Sequence, residues 1–204
     1  MVAAADEGTT GTGITTPPRR SVVFTYGTLK RGFGNHALME ELMRSGDAVF
    51  LGSYRTQENF PLVCGPYQVP FLLNLPGSGE RVTGELYGVS SGGLARMDEL
   101  EGTSRGHYER LPIKLVVLEE GEAEEAEAYF AHSSYARELW MKNGRRGLSA
   151  YSENEARGYV KRNERPQHLT FLNHIQLFVS AASDEPSDSS DPLTCNELDA
   201  LNLN

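Results

Sequence analysis

The sequence predicts an α+β domain, a small mixed β-barrel or curled sheet with flanking helices. Three observations carry this expectation. Short β-branched and aromatic runs recur between Ser21 and His132, separated by glycine and proline. Helical periodicity is confined to a few isolated segments. Those segments are too few to alternate regularly with parallel strands, which sets aside a doubly wound α/β architecture.

The elements follow in order. Residues 1–20 are rich in Ala, Thr and Gly and run into Pro17-Pro18, so they read as a disordered leader. Ser21 to Tyr26 is β-branched and aromatic, stops at Gly27, and reads as a buried strand. A helix is expected next, with Asn35 as N-cap, Leu38, Met39, Leu42 and Met43 on one face, and Gly46 as its stop. From Ala48 to Val89 the signals are strand-like: Ala48–Tyr54, Phe60–Val63, Phe71–Asn74 and Val82–Val89, with a turn at Pro76-Gly77-Ser78-Gly79. Gly92 to Glu101 reads as a short helix.

Two further strands are expected, Tyr108–Leu118 and Glu127–His132, joined by an acidic, solvated loop from Glu119 to Glu127. Ser133 to Pro166 reads as polar and irregular, with a possible capping box at Ser152 and Glu155. Leu169, Leu172, Ile175, Gln176 and Val179 suggest a last helix. The domain therefore spans 21–180, and residues 181–204 form an acidic disordered tail.

Charge excludes several functions. The chain has 204 residues and a formal net charge of −9. Six acids and no Lys or Arg lie between Ala181 and Asn204, so the rest of the chain carries only −3. No basic stripe exists to neutralise phosphates, so nucleic acid is not an expected partner. No apolar run approaches membrane-spanning length, and no signal pattern opens the chain. A cytoplasmic monomer is the default expectation. Cys64 and Cys195 read as reduced thiols, Cys64 in the core. The five histidines show no i, i+4 pair and there is no CxxC, so no metal site is expected. Nucleotide binding finds no motif to support it.

Two short segments carry candidate chemistry. In Tyr26-Gly27-Thr28-Leu29 a glycine directly follows an apolar strand, which lets the backbone come close to a ligand. Successive N–H groups there could hold an anionic oxygen, and Thr28 offers a hydroxyl. Taken alone, strand–glycine–loop is ordinary architecture. In Met97-Asp98-Glu99-Leu100-Glu101-Gly102, Asp98 and Glu101 are three apart and share a helix face with Leu94 and Met97. A carboxylate beside an apolar face is desolvated, which raises its pKa toward neutrality. Glu99 points elsewhere, into solvent. Acids at a helix C-terminus also oppose the macrodipole, so stability was not the only requirement there.

Together these segments resemble the gamma-glutamylcyclotransferase family. The resemblance rests on Val23-Phe24-Thr25-Tyr26-Gly27-Thr28-Leu29-Lys30-Arg31-Gly32 with Asn35-His36, and on Asp98-x-x-Glu101-Gly102 with Tyr108 beyond. The stretch from Pro70 to Gly79 makes it most similar to the gamma-glutamylamine cyclotransferase branch, whose plant members are the avirulence-induced-gene-like proteins. It spans about Ser21 to Pro166. It implies a mixed barrel flanked by helices with a pocket at one end. It also implies a cofactor-independent, intramolecular acyl transfer on a small gamma-glutamyl substrate. The substrate's α-amine attacks its own γ-carbonyl, and 5-oxoproline forms as an amine or amino acid leaves. Glu101 matches the family's catalytic acid/base. Tyr26, Gly27, Thr28 and Leu29 match its substrate loop, and Tyr108 is implied as a pocket wall or hydroxyl donor. Asp98 would position the helix. A non-catalytic binding or signalling module on the same scaffold is the alternative, and retention of Glu101 favours the enzyme.

Overall fold

The computed structural model describes residues 20–118 and 123–181. Residues 1–19 of the expected leader, 182–204 of the expected acidic tail with Cys195, and 119–122 of the expected acidic loop lie outside the described residues. Among the described residues there are seven strands: β1 Ser21–Thr25, β2 Ala48–Thr56, β3 Leu62–Cys64, β4 Pro70–Leu72, β5 Thr83–Val89, β6 Tyr108–Val117 and β7 Ala123–Ala131. They are hydrogen-bonded in the order β1-β5-β2-β6-β7-β4-β3. A parallel pairing of β1 with β7, Val23 opposite Glu127 and Phe24 opposite Ala128, closes five of them into a mixed barrel. Closure removes the exposed edges that an open sheet would leave. The β3–β4 hairpin adds to β7 at the side.

Strand alternation sorts the apolar residues into two cores. Phe24, Leu86, Ile113, Leu115, Ala128 and Phe130 fill the barrel. Their neighbours Val23, Tyr87, Val89, Tyr129 and Ala131 face the other way and pack with the helices. A fully buried side chain of this kind contributes about 2 kcal/mol, so the alternating pattern itself selects the register.

The helices are α1 His36–Ser45, α2 Ser91–Glu101, α3 Ser133–Lys142 and α4 Phe171–Ser180. Gly46 closes α1 in the left-handed conformation. Ser90 caps α2, accepting from the Gly93 N–H.

Several expectations are corrected. The Asn35 side chain makes no capping bond to α1. β7 begins at Ala123, so Glu124, Glu125 and Glu127 belong to a strand; Glu127 pairs with Arg110 across the sheet. Ser133 to Pro166 is not wholly irregular, because α3 occupies its start, and Tyr135, Ala136 and Leu139 anchor it to the helix-side core. The Glu155 carboxylate accepts from the Ser152 N–H and hydroxyl, but the Ser152 hydroxyl accepts from the Asn154 N–H, so the reciprocal capping box is not completed and no helix follows. The box that opens a helix is at Thr170 and Asn173. α4 buries His174 and Ile175 and leaves Leu172 exposed, a phase different from the expected one.

Candidate functional site

At one end of the barrel, β1 runs into the segment Tyr26–Leu29, which lines a pocket together with Glu101 and Tyr108. All six residues expected at the site are therefore brought together. The pocket is also lined by Asn35, His107, Tyr129 and Tyr159, and by Arg162 and Arg165.

The loop is held from several sides. The Tyr26 hydroxyl donates to the Tyr129 carbonyl at 2.5 Å and accepts from the Leu72 N–H at 3.2 Å. That hydroxyl is spent on structure, and Tyr26 offers the pocket its ring and backbone. Gly27 is needed for space: a Cβ there would lie 2.6 Å from Pro70 Cγ. The Asn35 amide donates to the Thr28 hydroxyl at 2.9 Å and to the Tyr159 hydroxyl at 3.3 Å. The buried His36 ring meets the Leu29 carbonyl at 2.8 Å through Nδ1. The backbone N–H groups of Gly27, Thr28 and Leu29 make no hydrogen bond to any other described residue. Gly27 and Leu29 are buried. Unsatisfied donors in such a place are costly unless a ligand meets them.

Tyr108 donates its hydroxyl to the Pro70 carbonyl at 3.1 Å and stacks on Phe71, ring centroids 5.3 Å apart. Of its two expected roles, the geometry leaves it the wall.

Glu101 is the last residue of α2, and Gly102 turns the chain at φ 68°. A Cβ on Gly102 would sit 2.5 Å from His107 Nδ1, so glycine is needed there for conformation and for room. The Glu101 carboxylate makes no hydrogen bond to any described residue. Burial, reinforced by the Asp98 charge, pushes its pKa from 4.5 up to about 7. Asp98 is tied down instead: it accepts from the Tyr129 hydroxyl at 2.7 Å and from Arg110 Nε at 3.1 Å. Glu99 is exposed and bridges Arg105 at 2.7 Å. His107 is pushed down to about 4, chiefly by burial and then by Arg105 and Arg162, so its ring is neutral at ordinary pH.

Sequence reasoning missed Asn35 as a pocket residue, because its place before α1 suggested a cap. Tyr129 lies in an expected strand, but only barrel closure shows that it reaches Asp98. His107, Tyr159, Arg162 and Arg165 gave no signal. Cys64 is half-buried against the barrel core, and burial raises its thiol to about 11. Among the described residues no group of three His, Cys, Asp or Glu could hold a metal, and no helix is long and apolar enough to cross a membrane.

A closed mixed barrel thus carries at one end a pocket with an open row of backbone donors and, among its described lining residues, one carboxylate, Glu101, raised toward neutrality. The family model described as gamma-glutamyl cyclotransferase, AIG2-like, matches residues 23–147. An Arabidopsis thaliana protein whose name places it provisionally among the gamma-glutamylcyclotransferases is 61% identical over 181 residues, covering 83% of this chain and 97% of that one. The Danio rerio gamma-glutamylaminecyclotransferase B is 33% identical over 190 residues, covering 84% and 98%. The crystal structure of a Mus musculus AIG2-like protein superposes with a TM-score of 0.63 at 35% identity, covering 72% of this chain and 99% of that one. The chain belongs to the gamma-glutamyl cyclotransferase, AIG2-like family.

Proposed function

We propose that this chain cyclises gamma-glutamyl compounds to 5-oxoproline and releases the amine or amino acid, with Glu101 as general acid and base. The observation that carries the reading is the Glu101 carboxyl, free of hydrogen bonds to the described residues and raised to about 7, in the pocket lined by Tyr26–Leu29. A carboxyl near neutrality both accepts and returns a proton at ordinary pH. The substrate's α-ammonium gives its proton to Glu101 and becomes a nucleophile. Its nitrogen bonds to the γ-carbonyl carbon; the bond to the leaving nitrogen breaks as Glu101 returns the proton to it, and the second proton that the attacking nitrogen sheds on becoming the lactam N–H passes to the departing amine, which leaves as an ammonium. No water is consumed.

The nucleophile is tethered to its target, so much of the entropic barrier is absent from the start. What the protein supplies is placement and charge. The N–H groups of Gly27, Thr28 and Leu29 suit an anionic oxygen, either the substrate's carboxylate or the oxyanion of the tetrahedral intermediate.

The test is a panel of gamma-glutamyl-ε-lysine, several gamma-glutamyl-α-amino acids and glutathione, with 5-oxoproline release measured. Release from at least one of them is expected. Release from none would move the chain to the binding-module alternative.

A further inference from the structure

Two arginines line the pocket, and the chemistry above leaves both without a task. Arg162 opens a short turn of 3₁₀ helix, Arg162–Glu164, and Arg165 follows it. Both lie beyond residue 147, where the family match ends.

Arg165 is held in place. Its Nε donates to the Val160 carbonyl at 2.9 Å. Its guanidinium carbon stands 5.3 Å from the ring centroid of Tyr67, 5.8 Å from that of Tyr159 and 5.9 Å from that of Phe171. Those rings are themselves fixed: Tyr67 by its hydroxyl on His174 Nδ1 at 2.9 Å, Tyr159 by Asn35. A guanidinium so clamped loses little freedom when it meets a ligand, and its two terminal amino groups make no hydrogen bond within the described residues.

Arg162 lies close enough to His107 to depress the imidazole's pKa and to act on Glu99. Glu99 is already bridged by Arg105. Neither Arg162 nor Arg165 forms an ion pair with a carboxylate of the described residues. His107 beside them is neutral. The two cations thus face a shared cavity with their charge uncompensated, the arrangement that recognises a carboxylate.

Their place along the substrate follows from what the loop and Glu101 already hold in the same pocket. With the glutamyl head against Tyr26–Leu29 and the scissile bond at Glu101, the part of the substrate left for them is the leaving group.

We propose that Arg162 and Arg165 form a subsite for a carboxylate on the leaving group, so that the enzyme releases carboxylate-bearing amino acids or peptides in preference to plain alkylamines. This rests on the cyclotransferase reading. The test compares gamma-glutamyl-alanine with gamma-glutamyl-alaninamide, which differ only in that carboxylate. The wild type is expected to favour the acid in kcat/KM by roughly 10- to 100-fold, the usual worth of charge-assisted hydrogen bonds. Arg162→Gln with Arg165→Met is expected to bring the ratio toward one, the loss falling on KM for the acid. Arg162→Gln alone, at an exposed position, gives a partial loss of preference in a chain whose fold is not at risk. Equal use of the two compounds by the wild type overturns the subsite and leaves the cyclotransferase standing. An equal fall for both compounds in the variants also overturns it, since the arginines would then serve the glutamyl head or the fold. Failure to release 5-oxoproline from any gamma-glutamyl compound defeats the underlying reading instead.

Discussion

Asp98 lies one helical turn before Glu101, and its negative charge adds to burial in lifting the Glu101 carboxyl to about 7. The two acids share a face of α2 but not a fate. Asp98 is spent on Tyr129 and Arg110, while Glu101 is left without a bond to the described residues. The same spacing therefore yields one anchored carboxylate and one poised one, because their surroundings differ.

Removing the Asp98 charge is expected to lower the Glu101 pKa. In Asp98→Asn the acid limb of the kcat/KM profile should move from near pH 7 to lower pH, by less than the full shift, since burial remains the larger cause. Turnover should fall as well, because Arg110 and Tyr129 lose the negative charge of their shared acceptor. A pH–rate profile checks the displacement; an unmoved limb would detach Asp98 from Glu101.

Glu101→Gln is expected to fold and to lose about 10²–10⁴-fold in turnover, the usual contribution of general acid–base catalysis. Near-full activity would remove Glu101 from the mechanism. The variant should also gain stability at alkaline pH. The folded-state pKa of Glu101 lies above its unfolded value of 4.5. Its contribution to stability is therefore fully present below about 4.5 and is lost as pH rises through about 7. Glutamine does not ionise, so at pH 8 the variant should exceed the wild type by on the order of 3 kcal/mol. Denaturant unfolding at pH 5 and pH 8 would read the difference.

Gly27→Ala is expected to damage the cradle through crowding. The new methyl would meet Pro70 Cγ at 2.6 Å, and Pro70 also receives the Tyr108 hydroxyl. A loss of about 1–3 kcal/mol is expected, as for other overpacked sites, with a raised KM. A thermal melt and steady-state kinetics test both.

Asn35→Ala should leave α1 intact, since the side chain makes no capping bond to it, and should release Thr28 and Tyr159. A fall of roughly 10-fold in kcat/KM is expected, about the worth of one or two lost hydrogen bonds. Circular dichroism would show unchanged helix content; a large helical loss would return Asn35 to a capping role.

The sequence by itself determined the local elements and the two segments that meet at the site. β-Branched and aromatic runs marked β1, β2, β5 and β6, Gly46 marked the end of α1, and the spacing of Asp98 and Glu101 put both on one face of a helix. These are short-range properties, set by backbone sterics and by the burial each side chain requires. Only the tertiary structure decided the rest. The parallel contact of β1 with β7 closes the barrel and carries Tyr129 to Asp98. The folded connection between β1 and α1 makes Asn35 the support of Thr28 and, through Tyr159, of the far wall, rather than a cap. Arg162 and Arg165 come from a segment without periodicity, and their place beside the pocket depends on where α4 and its neighbouring rings pack. A residue's partners across long loops are fixed by the packing of whole elements, and no local pattern in the chain records them.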